Sequence, residues 1–160
     1  MTDGPRFALR WDDRGLVPVV VQDRHTGEVR MVAWADADAL GATVDTGLAH
    51  FFSRSRGALW KKGETSGHTL AVAEVWTDCD RDVVLYLVDP AGPTCHTGRP
   101  SCFFERLDGD GVGAAGEGGA AAPTLERLAR TLTTRARSDG RRSYTRALLD
   151  GGPATLSAKL

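Results

Sequence analysis

The stretch GDGVGAAGEGGAAAP, residues 109–123, limits this chain more than any other, because it holds six glycines and five alanines. Side chains this small bury too little apolar surface to offset the entropy of ordering the backbone. The reading is a compact domain at 1–108, a flexible Gly/Ala linker at 109–123 and a helical tail at 124–160. Hydrophobic residues make up 41% of the 160 positions, so one domain with a proper core is within reach.

The first part is patterned for strands. FALRW (7–11) alternates, and LVPVVVQD (16–23) is apolar and β-branched, with Pro18 suggesting a sheet edge. Thr26-Gly27 turns the chain into VRMVAWA (29–35). Asp36 then caps a helix whose buried face carries Ala39, Leu40 and Thr43 or Val44, and Gly47 ends it. AHFFS (49–53), TLAVAEVW (69–76), DVVLYLVD (82–89) and FFERL (103–107) read as further strands, with Leu70, Val72, Glu74 and Trp76 sharing a face. The sum is a β-rich α+β domain with one main helix, not a βαβ alternation. In the tail, Thr124 suits an N-cap, and Leu125, Leu128, Ala129 and Leu132 share a helical face.

A net charge of −1 creates no global field to recruit nucleic acid or an anionic membrane, so neither is an expected partner. The apolar runs are too short to cross a bilayer, and the N-terminal MTDGPRFALRW has no secretory apolar region. The expected compartment is the cytoplasm, where the three cysteines stay reduced.

Those cysteines, Cys79, Cys95 and Cys102, form no C-x-x-C pair, which excludes a zinc ribbon or finger. Three thiolates with a fourth position left to water is the arrangement of a catalytic zinc; the other reading is three small buried hydrophobes. Cys95 and Cys102 bracket the polar loop CHTGRPSC. Around Cys79, WTDCDRD (76–82) places Asp78, Asp80 and Asp82 at every second position. In extended chain these carboxylates share one face and Cys79 takes the other. Carboxylates suit magnesium and a thiolate suits zinc; the plain alternative is a solvated acidic turn. His96 follows Cys95 and His68 ends GETSGH, so each is a candidate fourth ligand or general base, or simply an exposed loop histidine. His25 reads as a surface residue and His50 as undecided.

SRSRGALWKKGETSGH (53–68) concentrates Arg54, Arg56, Lys61 and Lys62 with the hydroxyls of Ser53, Ser55, Thr65 and Ser66. Guanidinium forks, hydroxyls and glycine-flanked amides are the donors a phosphate needs, although G-x-x-x-x-G-K-[ST] is absent. Trp60 either stacks on a base or fills the core, and the plain alternative for the loop is a solvated basic hairpin.

The motifs MVAWADADAL, TGLAHFFSRSRGALWKKGETSGH, DCDRD and CHTGRPSCFF, in order across residues 15–104, resemble phosphoribosyl-AMP cyclohydrolase of histidine biosynthesis. The resemblance implies a zinc- and magnesium-dependent homodimer with its active sites at the subunit interface. The reaction it implies is hydrolysis of the N1–C6 bond of N1-(5-phosphoribosyl)-AMP. By the motif match, Cys79, Cys95 and Cys102 bind zinc, with ligands drawn from both subunits, and Asp78, Asp80 and Asp82 bind magnesium. The general base is His96 or, second, His68. Substrate and phosphate contacts fall to Ser53, Arg54, Ser55, Arg56, Trp60, Lys61, Lys62, Glu64, Thr65, Ser66 and Arg99. The competing functions are a non-catalytic module whose zinc is structural and a zinc hydrolase of another modified purine nucleotide. Residues 125–160 resemble the start of phosphoribosyl-ATP pyrophosphohydrolase without its glutamate-rich metal motif, so no pyrophosphohydrolase activity is expected.

Overall fold

Alternating valines set the centre of the sheet. In strand β1 (Val17–Asp23), Val17, Val19 and Val21 are fully buried and the residues between them are half-buried. This is the pattern of a strand with one face on the core. The computed structural model describes residues 6–108, 111–114, 128–129, 132–133 and 150–152. The remaining elements are β2 (Val29–Ala35), α1 (Ala37–Thr46), β3 (His50–Ser53), β4 (Ala58–Lys61), β5 (Leu70–Thr77), β6 (Val84–Pro90), β7 (Glu105–Asp108) and β8 (Gly111–Ala114). Six strands form one sheet in the order β4-β3-β2-β1-β6-β5, parallel between β1 and β6 and antiparallel elsewhere. The sheet curls into a half-barrel. A Leu48–Ala71 bridge, with Ala49 N donating to Leu70 O at 3.0 Å and Val72 N to Gly47 O at 2.8 Å, brings the start of β5 against the approach to β3.

Helix α1 covers the core face with Ala39, Leu40, Gly41 and Thr43. Its caps are those expected: Asp36 Oδ1 accepts from Ala39 N at 2.8 Å, and Gly47, at φ 67°, donates its N–H to Thr43 O. Beneath it, Phe51 packs against Trp60 and Tyr86 at ring-centroid distances of 5.1 and 5.8 Å.

Several expectations are revised. FALRW forms no strand, although Phe7, Leu9 and Trp11 do pack on the core in alternation. The segment has only an isolated tie, Arg10 N to Arg81 O at 2.7 Å, in place of a ladder. Pro18 lies in a central strand, not an edge. It precedes the first β1–β6 pair, Val19↔Val84, so there is no ladder on that flank for its ring to interrupt. In β5 the register shifts between Val72 and Glu74. That bulge puts Val75, opposite buried Tyr86, on the face of Leu70 and Val72, and turns Glu74 and Trp76 away. The basic stretch 53–68 contains strand β4 and is largely a hairpin with its following turns.

The chain divides into two compact units, Met1–Ala120 and Ala121–Leu160. Within the segment read as a linker, Gly111–Ala114 pairs with β7 as β8. In the second unit, Leu128–Ala129 and Leu132–Thr133 have helical backbone, and most of the expected helical tail lies outside the described residues. Among the described residues no helix is long and apolar enough to cross a membrane.

Candidate active site

The site begins with a charge in the wrong place. Arg30 lies within β2 and is 6% exposed. A lone buried guanidinium is costly, and here Nη1 meets Glu28 Oε2 at 2.9 Å and Asp23 Oδ2 at 3.8 Å. The other arms hold the loop that carries two cysteines. Nε donates to Thr94 Oγ1 at 3.2 Å and Nη2 to Gly92 O at 3.3 Å, while Cys102 N donates to Arg30 O at 2.8 Å. Ser101 Oγ donates to Val29 O at 2.7 Å. Inside the loop, Cys95 N donates to Arg99 O at 3.0 Å, which closes a tight turn.

These anchors bring Cys95 and Cys102 to the wall of one cavity, near enough for each thiol to shift the other's pKa. Burial raises the Cys95 thiol. Donation from the Thr97 hydroxyl, at 3.1 Å, and from nearby groups including Cys102 outweighs it, so Cys95 ends below the ordinary thiol value. Cys102 is pushed up to about 11 by desolvation of its sulphur and by the adjacent Cys95, although the residue as a whole is exposed. The pair thus divides into a more acidic thiol, Cys95, and a less acidic one, Cys102. Two thiols on one cavity wall fit a soft divalent ion.

The pair opens on a cavity of about 530 Å³ whose other walls include Trp60, Lys62, Ser66, His68 and His96. His96 Nδ1 is 3.9 Å from Cys95 Sγ. The His68 ring turns its Nδ1 edge towards Gly92, where a Cβ would sit 2.3 Å from Nδ1 and 3.0 and 3.2 Å from Cε1 and Cγ. Gly63, at φ 81°, lets the backbone pass His68, where a Cβ would come within 2.5 Å of its carbonyl carbon. His50 and His25 do not line this cavity. His50 is buried with Nδ1 2.7 Å from Leu48 O, and His25 Nε2 pairs with Asp89 at 2.8 Å.

The three aspartates converge, but not as an extended face. Residues 78–82 form the β5–β6 turn, with Arg81 at φ 64°. One ligand oxygen from each of Asp78, Asp80 and Asp82 lies within 4.8 Å of the others, and among the described residues this is the only such cluster of three or more. Asp78 Oδ1 accepts from Asp82 N and Val83 N, both at 3.1 Å, which holds its carboxyl below the usual range. Asp82 is raised by burial and by the charges of Asp80 and Asp78. Crowded carboxylates of this kind suit a hard divalent cation. Cys79 is exposed on the same turn and does not line the Cys95–Cys102 cavity. The three thiols therefore form no single cluster within one chain.

A second cavity, of about 650 Å³, is lined by Ser53, Arg54, Ser55 and Arg56 together with Arg14, Trp34 and Trp60. Arg54 stacks over the Trp34 ring at 4.6 Å, and Arg56 Nε donates to Ser53 Oγ at 3.2 Å. Trp60 lines both cavities. Lys61, Glu64, Thr65 and Arg99 line neither; Arg99 stacks over Phe104 at 4.4 Å. Sequence reasoning missed Arg14, Arg30, Gly92 and Thr94. Only Arg30 had a visible signal, a charge inside the apolar run VRMVAWA.

The fold and these cavities are those of a small α+β enzyme. The phosphoribosyl-AMP cyclohydrolase family profile matches residues 31–104. The chain is 60% identical over 105 residues to a phosphoribosyl-AMP cyclohydrolase of Erythrobacter litoralis, covering 66% of this chain and 84% of that protein. It is 54% identical over 104 residues to one from Archaeoglobus fulgidus, covering 65% and 96%. It is 40% identical over 156 residues to the histidine biosynthesis bifunctional protein HisIE of Wolinella succinogenes, covering 95% and 68%. The chain belongs to the phosphoribosyl-AMP cyclohydrolase family.

Proposed function

We propose that this chain opens the adenine ring of N1-(5-phosphoribosyl)-AMP in histidine biosynthesis by hydrolysing the N1–C6 bond. The zinc would be held by Cys95 and Cys102 of one subunit and Cys79 of a second. Magnesium would be held by Asp78, Asp80 and Asp82. The observation that carries the reading is that Cys95 and Cys102 line one cavity with two histidines in a chain of this family.

The homodimer is supported by distance. Cys79 lies beyond the C-terminal end of β5, whose eight residues separate it from the cavity end by roughly 25 Å. The face of β5 near that turn is open, with Trp76 56% exposed. A second subunit that covers it can bring its own Cys79 to the pair.

Bound zinc supplies Lewis acidity that lowers the pKa of water toward about 7. The chain's own groups do the rest. Arg54, Arg56 and the Ser53 and Ser55 hydroxyls hold one phosphate in the basic cavity, and Trp60, between the cavities, flanks the purine. Lys62 and Ser66 orient the substrate on the thiol side. His96 takes a proton from the attacking water as the C6–O bond forms, and a proton is returned to N1 as C6–N1 breaks. His68 is the second candidate for that transfer.

The test is to supply phosphoribosyl-AMP with zinc and magnesium, follow the ring-opened product by absorbance, and assay the metals. Absence of turnover in metal-loaded protein rejects the proposal. The same assay with phosphoribosyl-ATP checks the expectation that these residues carry no pyrophosphohydrolase activity. The placement of His96 beside Cys95 also favours one rival, a structural zinc closed by that histidine. That rival requires unfolding on chelation, whereas a catalytic centre loses turnover first.

A further inference from the structure

We propose that Arg30 is a positioning residue, which holds both ends of the Gly92–Cys102 loop so that the Cys95 and Cys102 sulphurs face each other at a fixed separation. The inference deepens the zinc reading above and rests on it only for the identity of the metal.

The geometry carries it. The guanidinium reaches forward to the start of the loop, at Gly92 O and Thr94 Oγ1, while the Arg30 carbonyl receives the N–H of Cys102 at its end. One residue on a rigid central strand therefore grips the loop beside each thiol. The fork is itself fixed, because Nη1 is taken by Glu28 and the residue is buried. Burying this charge inside an apolar strand costs stability that a hydrophobic residue would not, and the contacts that offset the cost run to Glu28 and to the loop. Gly92, whose carbonyl Nη2 holds, also abuts the Nδ1 edge of the His68 ring, so the same side chain sets the backbone against which His68 rests. A lysine can keep the charge beside Glu28 but cannot bond Gly92 O and Thr94 Oγ1 together.

The experiment uses the full chain with Arg30→Lys and, because a buried arginine can matter for folding, Thr94→Val, which deletes only the hydroxyl that Nε bonds. Two affinities are read: zinc, by competition with a chelator, and phenylarsine oxide, which needs two closely spaced thiols. Far-UV circular dichroism and thermal melts accompany them. The expected result is zinc weakened about 10- to 100-fold in Arg30→Lys and about 10-fold in Thr94→Val, as for lost supporting contacts at metal ligands, with weaker arsenical capture in parallel. Variants that melt lower yet bind both probes within twofold of the parent overturn the proposal and leave Arg30 a stability residue. A parent that captures the arsenical but binds no zinc removes the zinc reading alone; the arsenical affinities of the two variants then decide this inference.

Discussion

Gly92 shows how much one missing atom can decide. Its backbone is ordinary, yet a methyl group there would lie 2.3 Å from His68 Nδ1 and displace the ring. Gly92→Ala should leave the fold and zinc binding intact and lower kcat by roughly tenfold or more, since small displacements of reacting groups are costly. An unchanged kcat would show that His68 takes no part in the chemistry. Cys95→Ser should remove zinc, with affinity down more than about 100-fold, and abolish turnover while the melting curve stays cooperative. Metal analysis and a thermal melt on the same sample check both halves. At this scale the sequence was partly legible. The cysteines, His68 and His96 stand out by type, and Arg30 by its apolar neighbours. Gly92 and Thr94 do not, because their importance comes from what approaches them across the fold.

Among the elements, α1 was readable to the residue because its signals are local: a side-chain oxygen at Asp36 and a left-handed Gly47. Asp36→Ala should lower stability by about 1 kcal/mol with the kinetics unchanged, measured by urea unfolding. Strands are harder, because their hydrogen bonds come from distant chain. Alternation in 7–11 gave the correct buried side, but no neighbouring strand was there to pair with it. The β5 bulge reversed a face that strict alternation assigned. The β5–β6 turn carries a prediction of its own. Because the folded turn raises the pKa of Asp82, the contribution of Asp82 falls as pH rises through the ordinary carboxylate range up to the raised value, while Asp78, held below that range, contributes with the opposite sign. Asp80→Asn removes one of the repelling charges, so at neutral pH without magnesium its Tm should equal or exceed the parent's. Its gain on adding magnesium should disappear. A lower Tm with an undiminished magnesium response would show that Asp80 is neither a repelling charge nor a ligand.

For the whole molecule, the decisive quantity is where the third sulphur comes from. One chain brings Cys95 and Cys102 together and leaves Cys79 at the far end of β5. If each site combines the pair of one subunit with the Cys79 of its twofold partner, two different inactive variants must repair each other. In a heterodimer of Cys79→Ser with Cys95→Ser, one site has both its thiol pair and its third sulphur, and the other lacks two ligands. Equal mixing through an unfolding and refolding cycle makes about half of the dimers mixed. About a quarter of the parent's sites should then be restored, in both zinc content and turnover. The unmixed variants, refolded separately, should restore none. No recovery in the mixture, with mixed dimers demonstrated by a tag on one subunit, would mean that each chain completes its site alone. Cys79 would then have to swing from the β5–β6 turn by a distance comparable to the length of the strand, which the antiparallel pairing of Val75, Trp76 and Thr77 with β6 opposes. A symmetric dimer would need no such movement, because it would reach the third ligand by docking two copies of a surface already open at Trp76.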